Sequence, residues 1–303
     1  MKAFKASLWD RYAAYWFLLP ALLCILVFIV YPSVRSVWMS FFNIELLNNA
    51  GQFIGFRNYT DFFQNGSLIK LIGNTLFFSI VSIAVACPFS LYISHLLNKP
   101  YWGRGFFRTL FLIPWVTPPV VAASVWKFIL SENFSPINGL LLQLHLIKKP
   151  ISFLGNIEWG FGPVNLPMLF MILVNVWSIF PFMMVMFLAA MQNISSDIYE
   201  AATVDGAGNK RKFFAITIPL IMPVMGITLL LQSIWQFNDF NTGFLLTRGG
   251  PLDMTNLLAV KVYSEGFLNF KYSSAATISV IMFLIVLIPS IAYIKTTGKE
   301  QFD

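Results

Sequence analysis

Between Trp159 and Ser196 the chain carries no Asp, Glu, Lys or Arg, and none occurs from Phe213 to Asn238. Stretches of that length cannot be solvated on a globular surface. About 20 apolar residues at helical rise match the ~30 Å hydrocarbon core of a bilayer. Four further windows share the character: Tyr12 to Val34, Leu71 to Asn98, Thr109 to Trp126 and Tyr272 to Ile294. The next longest, Asn133 to Ile147, is too short and is interrupted by Pro136, Asn138 and His145. The sequence therefore predicts an all-α polytopic membrane protein. Six transmembrane helices are expected, at about 14–38, 71–97, 107–130, 166–191, 213–238 and 273–294. They would form a single transmembrane domain over residues 1–303, with its core at about 70–295.

Composition supports this placement, since 57% of residues are apolar and only 11% charged. The net charge of +7 does not point to nucleic acid, because the basic residues are scattered in small clusters between apolar spans, as insertion signals are. Cys24 and Cys87 fall inside spans without neighbouring histidines or carboxylates, so packing roles are expected rather than a metal site or disulfide. His95 is expected at the inner end of the second span, and His145 in an outer loop without metal-ligand company. Lys2, Lys5 and Arg11 precede the first apolar run as in a signal peptide. No small-residue cleavage site closes that run before Tyr31-Pro32, so the helix is expected to be retained. Basic residues are densest in the short segments holding Lys2 to Arg11, Lys99 to Arg108, Lys210 to Lys212 and Lys295 to Lys299, which places these segments and both termini on the cytoplasmic side.

Three prolines in Ile113-Pro114-Trp115-Val116-Thr117-Pro118-Pro119 must break or kink the third helix. The outer loops are too long for tight turns and too short for domains; Gly249-Gly250-Pro251 marks a turn in the third. The most informative polar stretch lies between the two long charge-free runs, at Glu200 to Pro223. Asp197, Ser195 or Ser196 is placed to cap a short helix, Ile198 to Val204, with Glu200 returning a capping-box bond. Asp205-Gly206 would end that helix, and a second would start near Asn209 and enter the membrane.

This stretch resembles the cytoplasmic loop of permease subunits in ATP-binding-cassette importers of the binding-protein-dependent carbohydrate class. The likeness is carried by Tyr199-Glu200-Ala201-Ala202, Asp205-Gly206-Ala207 and Ile216-Thr217-Ile218-Pro219. FIGFRNY (Phe53 to Tyr59), RGFFRTLFLIPWVTPPVVAASVW, NVWSIFPFMM and LLTRGGP extend it, in order, from about Tyr31 to Ser279. The resemblance implies a type I importer permease fold, multi-pass in the cell (inner) membrane. Its short helix would be a coupling helix docking on a separate ATPase through Tyr199, Glu200, Ala201, Ala202, Asp205 and Gly206. Ser195 stands where the family commonly has proline. The implied partners are a second homologous permease subunit, expected to give a heterodimer, two ATP-binding subunits and an extracytoplasmic solute-binding protein. The implied cargo is a sugar.

The chain has no phosphate-binding G-x-x-x-x-G-K-[ST] loop, so it is expected to be a non-catalytic subunit without cofactor or metal, ATP and Mg being bound by the partner ATPase. Gln232, Gln236 and Asp239 share one helical face, which should look into a cavity or onto another helix. By resemblance to maltose-type permeases, Gln236 and Asp239 line the sugar path together with Trp115, Asn175, Ile179 and Phe182, and Gln232 is placed with them. Ile179 and Phe182 make this path more apolar than the maltose type. The alternatives are a stand-alone secondary transporter or channel, which should show internal repeats or several buried ionisable groups, and an intramembrane enzyme, which needs a nucleophile and base within spans. The sequence has neither set.

Overall fold

The computed structural model describes residues 8–45, 48–64 and 66–297; the basic residues Lys2, Lys5 and Lys299 lie outside the described residues. Helix α1 (Leu8–Ile25) runs through a π turn at Leu26–Val30 into α2 (Tyr31–Met39), and the hairpin β1 (Phe42–Glu45) and β2 (Asn48–Phe53) leads to α3 (Arg57–Gln64). Then come α4 (Ser67–Asn98), α5 (Arg104–Val116), α6 (Pro119–Ile129), α7 (Pro136–Gln143), the hairpin β3 (Gly160–Phe161) and β4 (Val164–Asn165), and α8 (Leu166–Gln192). The short α9 (Ser196–Val204) and α10 (Asn209–Lys212) precede a π turn, Phe213–Thr217, and α11 (Ile218–Phe237). The chain closes with α12 (Asn241–Leu246), α13 (Leu258–Tyr263), a π turn at Ser264–Leu268, and α14 (Tyr272–Thr297).

Among the described residues, five continuous helical stretches are long and apolar enough to cross a bilayer: Tyr15–Met39, Ser67–Asn98, Leu166–Gln192, Asn209–Phe237 and Tyr272–Tyr293. The sixth expected span is the bent pair α5 and α6, which meet at 94°. The proline run accounts for the break. A residue before proline avoids the α region, and both Thr117 (ψ 125°) and Pro118 (ψ 135°) are extended. Pro119 then opens α6, where its missing N–H costs nothing. Pro114 stays inside α5.

The described chain divides into two compact units. The first holds α1 to α3 with the hairpin, together with the chain from Val262 to Ile281. Here the FIGFRNY motif acts as a staple. Asn58 Nδ2 donates to the carbonyls of Ser40 (2.8 Å) and Phe42 (2.9 Å), and the Tyr59 hydroxyl pairs with Ser40 Oγ at 2.7 Å. Ser273 Oγ accepts from the Ile44 N–H at 2.8 Å, so the hairpin is also held to the start of α14. The hairpin is antiparallel, Phe42 opposite Phe53 and Asn43 opposite Gln52, with an irregularity before the Glu45–Asn48 pair. The two short hairpins are a local departure from all-α, where connecting loops reverse direction. Cys24 is exposed rather than packed, because every described side chain of α1 faces outward; Cys87 is half-buried and also a free thiol.

The second unit runs from Asn65 to Lys261 and resumes at Met282. Its axis is the pairing of α4 with α8. In the most apolar window of α8, 56% is buried, against 33% in that of α4 and 17% in that of Asn209–Phe237, which makes α8 the central helix of this unit. Phe78, Met168, Met171 and Val174 form one apolar cluster, and Ala86, Ile179, Met183 and Phe187 a second. Between lipid-soluble helices the hydrophobic effect gives little net drive, so close packing and interhelical hydrogen bonds hold the pair. Ser90 Oγ donates to the Phe180 carbonyl across it at 2.8 Å.

The loop after α12 is fastened to α4. Asn74 Nδ2 lies 3.3, 3.3 and 3.1 Å from the carbonyls of Asp253, Met254 and Asn256, and Thr75 Oγ1 accepts from the Leu258 N–H at 3.0 Å. Asn74 is 1% exposed, so no water replaces a lost bond. Asn74→Leu is expected to leave the buried Asn256 carbonyl without its donor at a cost of ~1–3 kcal/mol. Amide exchange from Met254 to Leu258 should quicken roughly tenfold or more, ~1.4 kcal/mol being a factor of ten. Unchanged protection there would show that the loop holds itself.

Candidate functional site: a polar cavity and an exposed helical elbow

The break between α5 and α6 opens a cavity of about 210 Å³ against α8 and α12. Trp115, Asn175, Ile179 and Asp239, four of the expected path residues, line it. Phe182 does not line it but extends its aromatic wall, with ring centroids 5.9 Å from Trp115 and 5.0 Å from Trp235. Gln232 and Gln236 also lie off the cavity and are buried against α8. Asn175 Nδ2 donates to Gln236 Oε1 at 2.7 Å, and Gln236 Nε2 donates to Gln232 Oε1 at 3.0 Å. The polar face of α11 thus meets a neighbouring helix at Gln232 and Gln236, whereas Asp239 is not on that face, because the helix ends at Phe237, and meets the cavity instead. Asn175 belongs to both, lining the cavity while anchored in the chain of amides.

Asp239 follows α11 and is fixed by its own neighbour. Its Oδ1 accepts the Thr242 N–H at 2.8 Å and its Oδ2 the Thr242 hydroxyl at 2.8 Å, the bonding of a capping residue to the start of α12. Sequence reasoning missed Thr117, Ser178, Asn241 and Thr242, which also line the cavity. Two of these were within reach. Ser178 stands between Asn175 and Ile179 in NVWSIFPF, and Asp239 to Thr242 has the three-residue capping spacing. The result is a concave site lined by hydroxyls, amides, one carboxylate and an indole. Such a site offers hydrogen bonds and an apolar face to the same small polar molecule.

The second feature is the elbow α9–α10. Ser195 is its N-cap, accepting from the Asp197 N–H at 3.3 Å, which settles the cap among the candidates. The helix starts at Ser196 and ends at Val204. Its end is a Schellman turn. The Gly206 N–H donates to the Thr203 carbonyl at 3.0 Å and the Ala207 N–H to the Ala202 carbonyl at 2.8 Å, with Gly206 left-handed at φ 77°. Tyr199 is half-buried, its hydroxyl 2.9 Å from Thr217 Oγ1, and so ties the elbow to the base of the next span. Glu200, Ala201, Asp205 and Gly206 are exposed and Ala202 is half-buried. α9 buries no residue fully. Ile198, Ala201 and Val204 follow at three-residue spacing on one exposed face, Val204 being 88% exposed. Ile198 and Val204 were absent from the expected docking set, although their spacing with Ala201 was legible. Among the described residues no group of three or more His, Cys, Asp or Glu is placed to hold a metal.

An apolar helical bundle with a polar cavity beside a broken helix, and a rigid exposed elbow between two spans, defines an integral membrane protein of the transport type. The chain belongs to the binding-protein-dependent transport system inner membrane component family, whose model matches residues 86–294. It is 32% identical over 292 residues to the trehalose/maltose transport system permease protein MalF of Thermococcus litoralis, covering 95% of this chain and 94% of that one. It is 31% identical to the sulfoquinovosyl glycerol transport system permease protein SmoG of Agrobacterium fabrum, covering 95% and 91%. Among solved structures, it superposes on a chain of a bacterial ABC transporter involved in import of the acidic polysaccharide alginate. That match has a TM-score of 0.80 at 24% identity and covers 95% of this chain and 97% of that chain.

Proposed function

We propose that the chain forms half of a sugar path through the cell (inner) membrane, as one permease subunit of an ATP-driven importer. The observation that carries this reading is the α9 elbow, a capped and glycine-terminated helix whose Ile198, Ala201 and Val204 are exposed among the described residues. An exposed apolar face on a rigid helix between two spans is a docking surface. The occupant is an ATP-binding subunit, which contacts Glu200, Ala201 and Asp205, while Tyr199, Ala202 and Gly206 hold the shape. ATP and Mg bind in that subunit. A second, homologous permease completes the path as a heterodimer, a second ATP-binding subunit docks on its elbow, and an extracytoplasmic solute-binding protein delivers the sugar. Both termini are cytoplasmic, and residues 1–303 act as one permease domain.

In this reading the cavity beside α5–α6 is the membrane station of the sugar. Hydroxyls of the cargo would meet Asn175, Ser178 and Asp239, and its C–H face would meet Trp115. The relatives' cargoes, trehalose or maltose and sulfoquinovosyl glycerol, are polyhydroxylated. Closure of the ATPase pair would swing the elbows together and reorient the bundle, an alternating-access motion. The test is a cysteine crosslink from Ala201→Cys or Val204→Cys in intact membranes. A product containing an ATP-binding subunit is expected, in a yield that changes when ATP is added. If neither position captures one, or if the chain reconstituted alone carries sugar across a bilayer, the importer-subunit reading is lost.

A further inference from the structure

A second cavity, of about 280 Å³, lies where the elbow meets the ends of α4 and α11. Lys99, Lys212 and His95 converge on it, together with the amides of Asn98 and Asn209 and the Tyr199 ring. No carboxylate lines it, and among the described residues neither lysine has one within salt-bridge distance. Lys212 is half-buried, and its ammonium is steered by a hydrogen bond to Thr203 Oγ1, which leaves further N–H donors. The His95 ring is held edge-on to Phe213, with centroids 4.6 Å apart. Like charges gathered without a counterion repel one another, so the arrangement is completed by an anion that accepts several hydrogen bonds at once. The volume falls just below the ~300–1,000 Å³ of small-molecule pockets, the size of a headgroup rather than of a large cofactor.

We propose that this cavity binds a phosphate group, and that its source is an acidic phospholipid of the inner leaflet. The inner-leaflet position rests on the coupling-elbow reading above; the phosphate chemistry rests on the cavity alone. The lipid source follows from the rim. Pro100 lines the cavity, and Tyr101 and Trp102 follow it in the chain, Trp102 being 98% exposed. Phe106, in the first turn of α5, and Phe214, in the π turn before α11, are 68% and 66% exposed. Exposed aromatics at the ends of spans sit at headgroup depth, and basic pockets between spans at that depth hold acidic headgroups. A phosphate bridging Lys99, the C-cap of α4, and Lys212 of α10 braces the elbow through Tyr199 and Thr203, so the lipid stiffens the element that meets the ATPase.

The assembly isolated with this chain is reconstituted in nanodiscs of mixed phosphatidylglycerol and phosphatidylcholine, and retained lipid is counted by native mass spectrometry. Wild type is expected to retain phosphatidylglycerol selectively, and the Lys99→Gln/Lys212→Gln variant to retain roughly tenfold less. A parallel arm titrates inorganic phosphate onto the delipidated assembly. Phosphate binding that the variant abolishes, without selective lipid retention, supports the phosphate site and assigns it to free phosphate. Equal lipid retention and equal phosphate binding by wild type and variant overturn the proposal. Should the double variant fail to assemble, Lys99→Gln is compared with Lys99→Arg, and equal binding by these two also overturns it. The same spectra show whether an ATP-binding subunit is present, so a failure of the coupling reading is scored separately.

Discussion

Replacing Gly206 with proline is expected to lower coupled sugar uptake on the order of 100-fold while leaving the amount of protein in the membrane unchanged. Gly206 has φ 77°, and its N–H closes the turn onto Thr203. Proline is confined near φ −65° and has no N–H, so the elbow must rebuild at a cost of ~3 kcal/mol, a factor of more than 100 in the population of the native turn. Insertion depends on the apolar spans, and Gly206 lies outside all of them. Alanine provides the graded control. A Cβ at Gly206 would meet nothing within 4 Å, so Gly206→Ala carries only the left-handed backbone penalty of ~1–2 kcal/mol and should lose about tenfold. Uptake is measured in vesicles beside ATP hydrolysis by the same complex. Wild-type uptake by the proline variant would remove the elbow from the coupling path.

Asn175→Leu is expected to be the most damaging single change at the cavity. The side chain lines the cavity and donates to Gln236 Oε1, and Gln236 is 5% exposed. Leucine leaves that oxygen buried without a donor, at ~1–3 kcal/mol, toward the lower end where hydrogen bonds within membranes average well under 2 kcal/mol. It also removes an amide from the cavity lining. Uptake should fall at least about tenfold, and the thermal midpoint of the purified complex should fall by a few degrees. Loss of stability with normal uptake would make Asn175 a helix-packing residue alone, and normal values for both would exclude it from each role.

The elbow was legible because every part of it is local. A serine before a short helix, a glycine after it and a basic start to the next helix are statements about neighbours in the chain, and the structure has them at Ser195, Gly206 and Asn209 to Lys212. The proline run likewise announced the break at Thr117-Pro118, since backbone sterics act between adjacent residues. The size of the bend was not legible, because 94° is set by what α5 and α6 each pack against. The π turns at Leu26–Val30 and Phe213–Thr217 left no mark in the hydropathy pattern.

By itself, the sequence determined which segments lie in lipid, where the third span fails, and that a rigid polar elbow separates two long apolar runs. Those properties follow from transfer energies and short-range backbone sterics. Only the tertiary structure decided that Gln232 and Gln236 turn to α8 while Asp239 turns to the cavity. It alone brought Lys99 and Lys212, more than a hundred residues apart, to one pocket. Helical periodicity says which residues share a face, but which helix comes to lie against that face is settled by long-range packing.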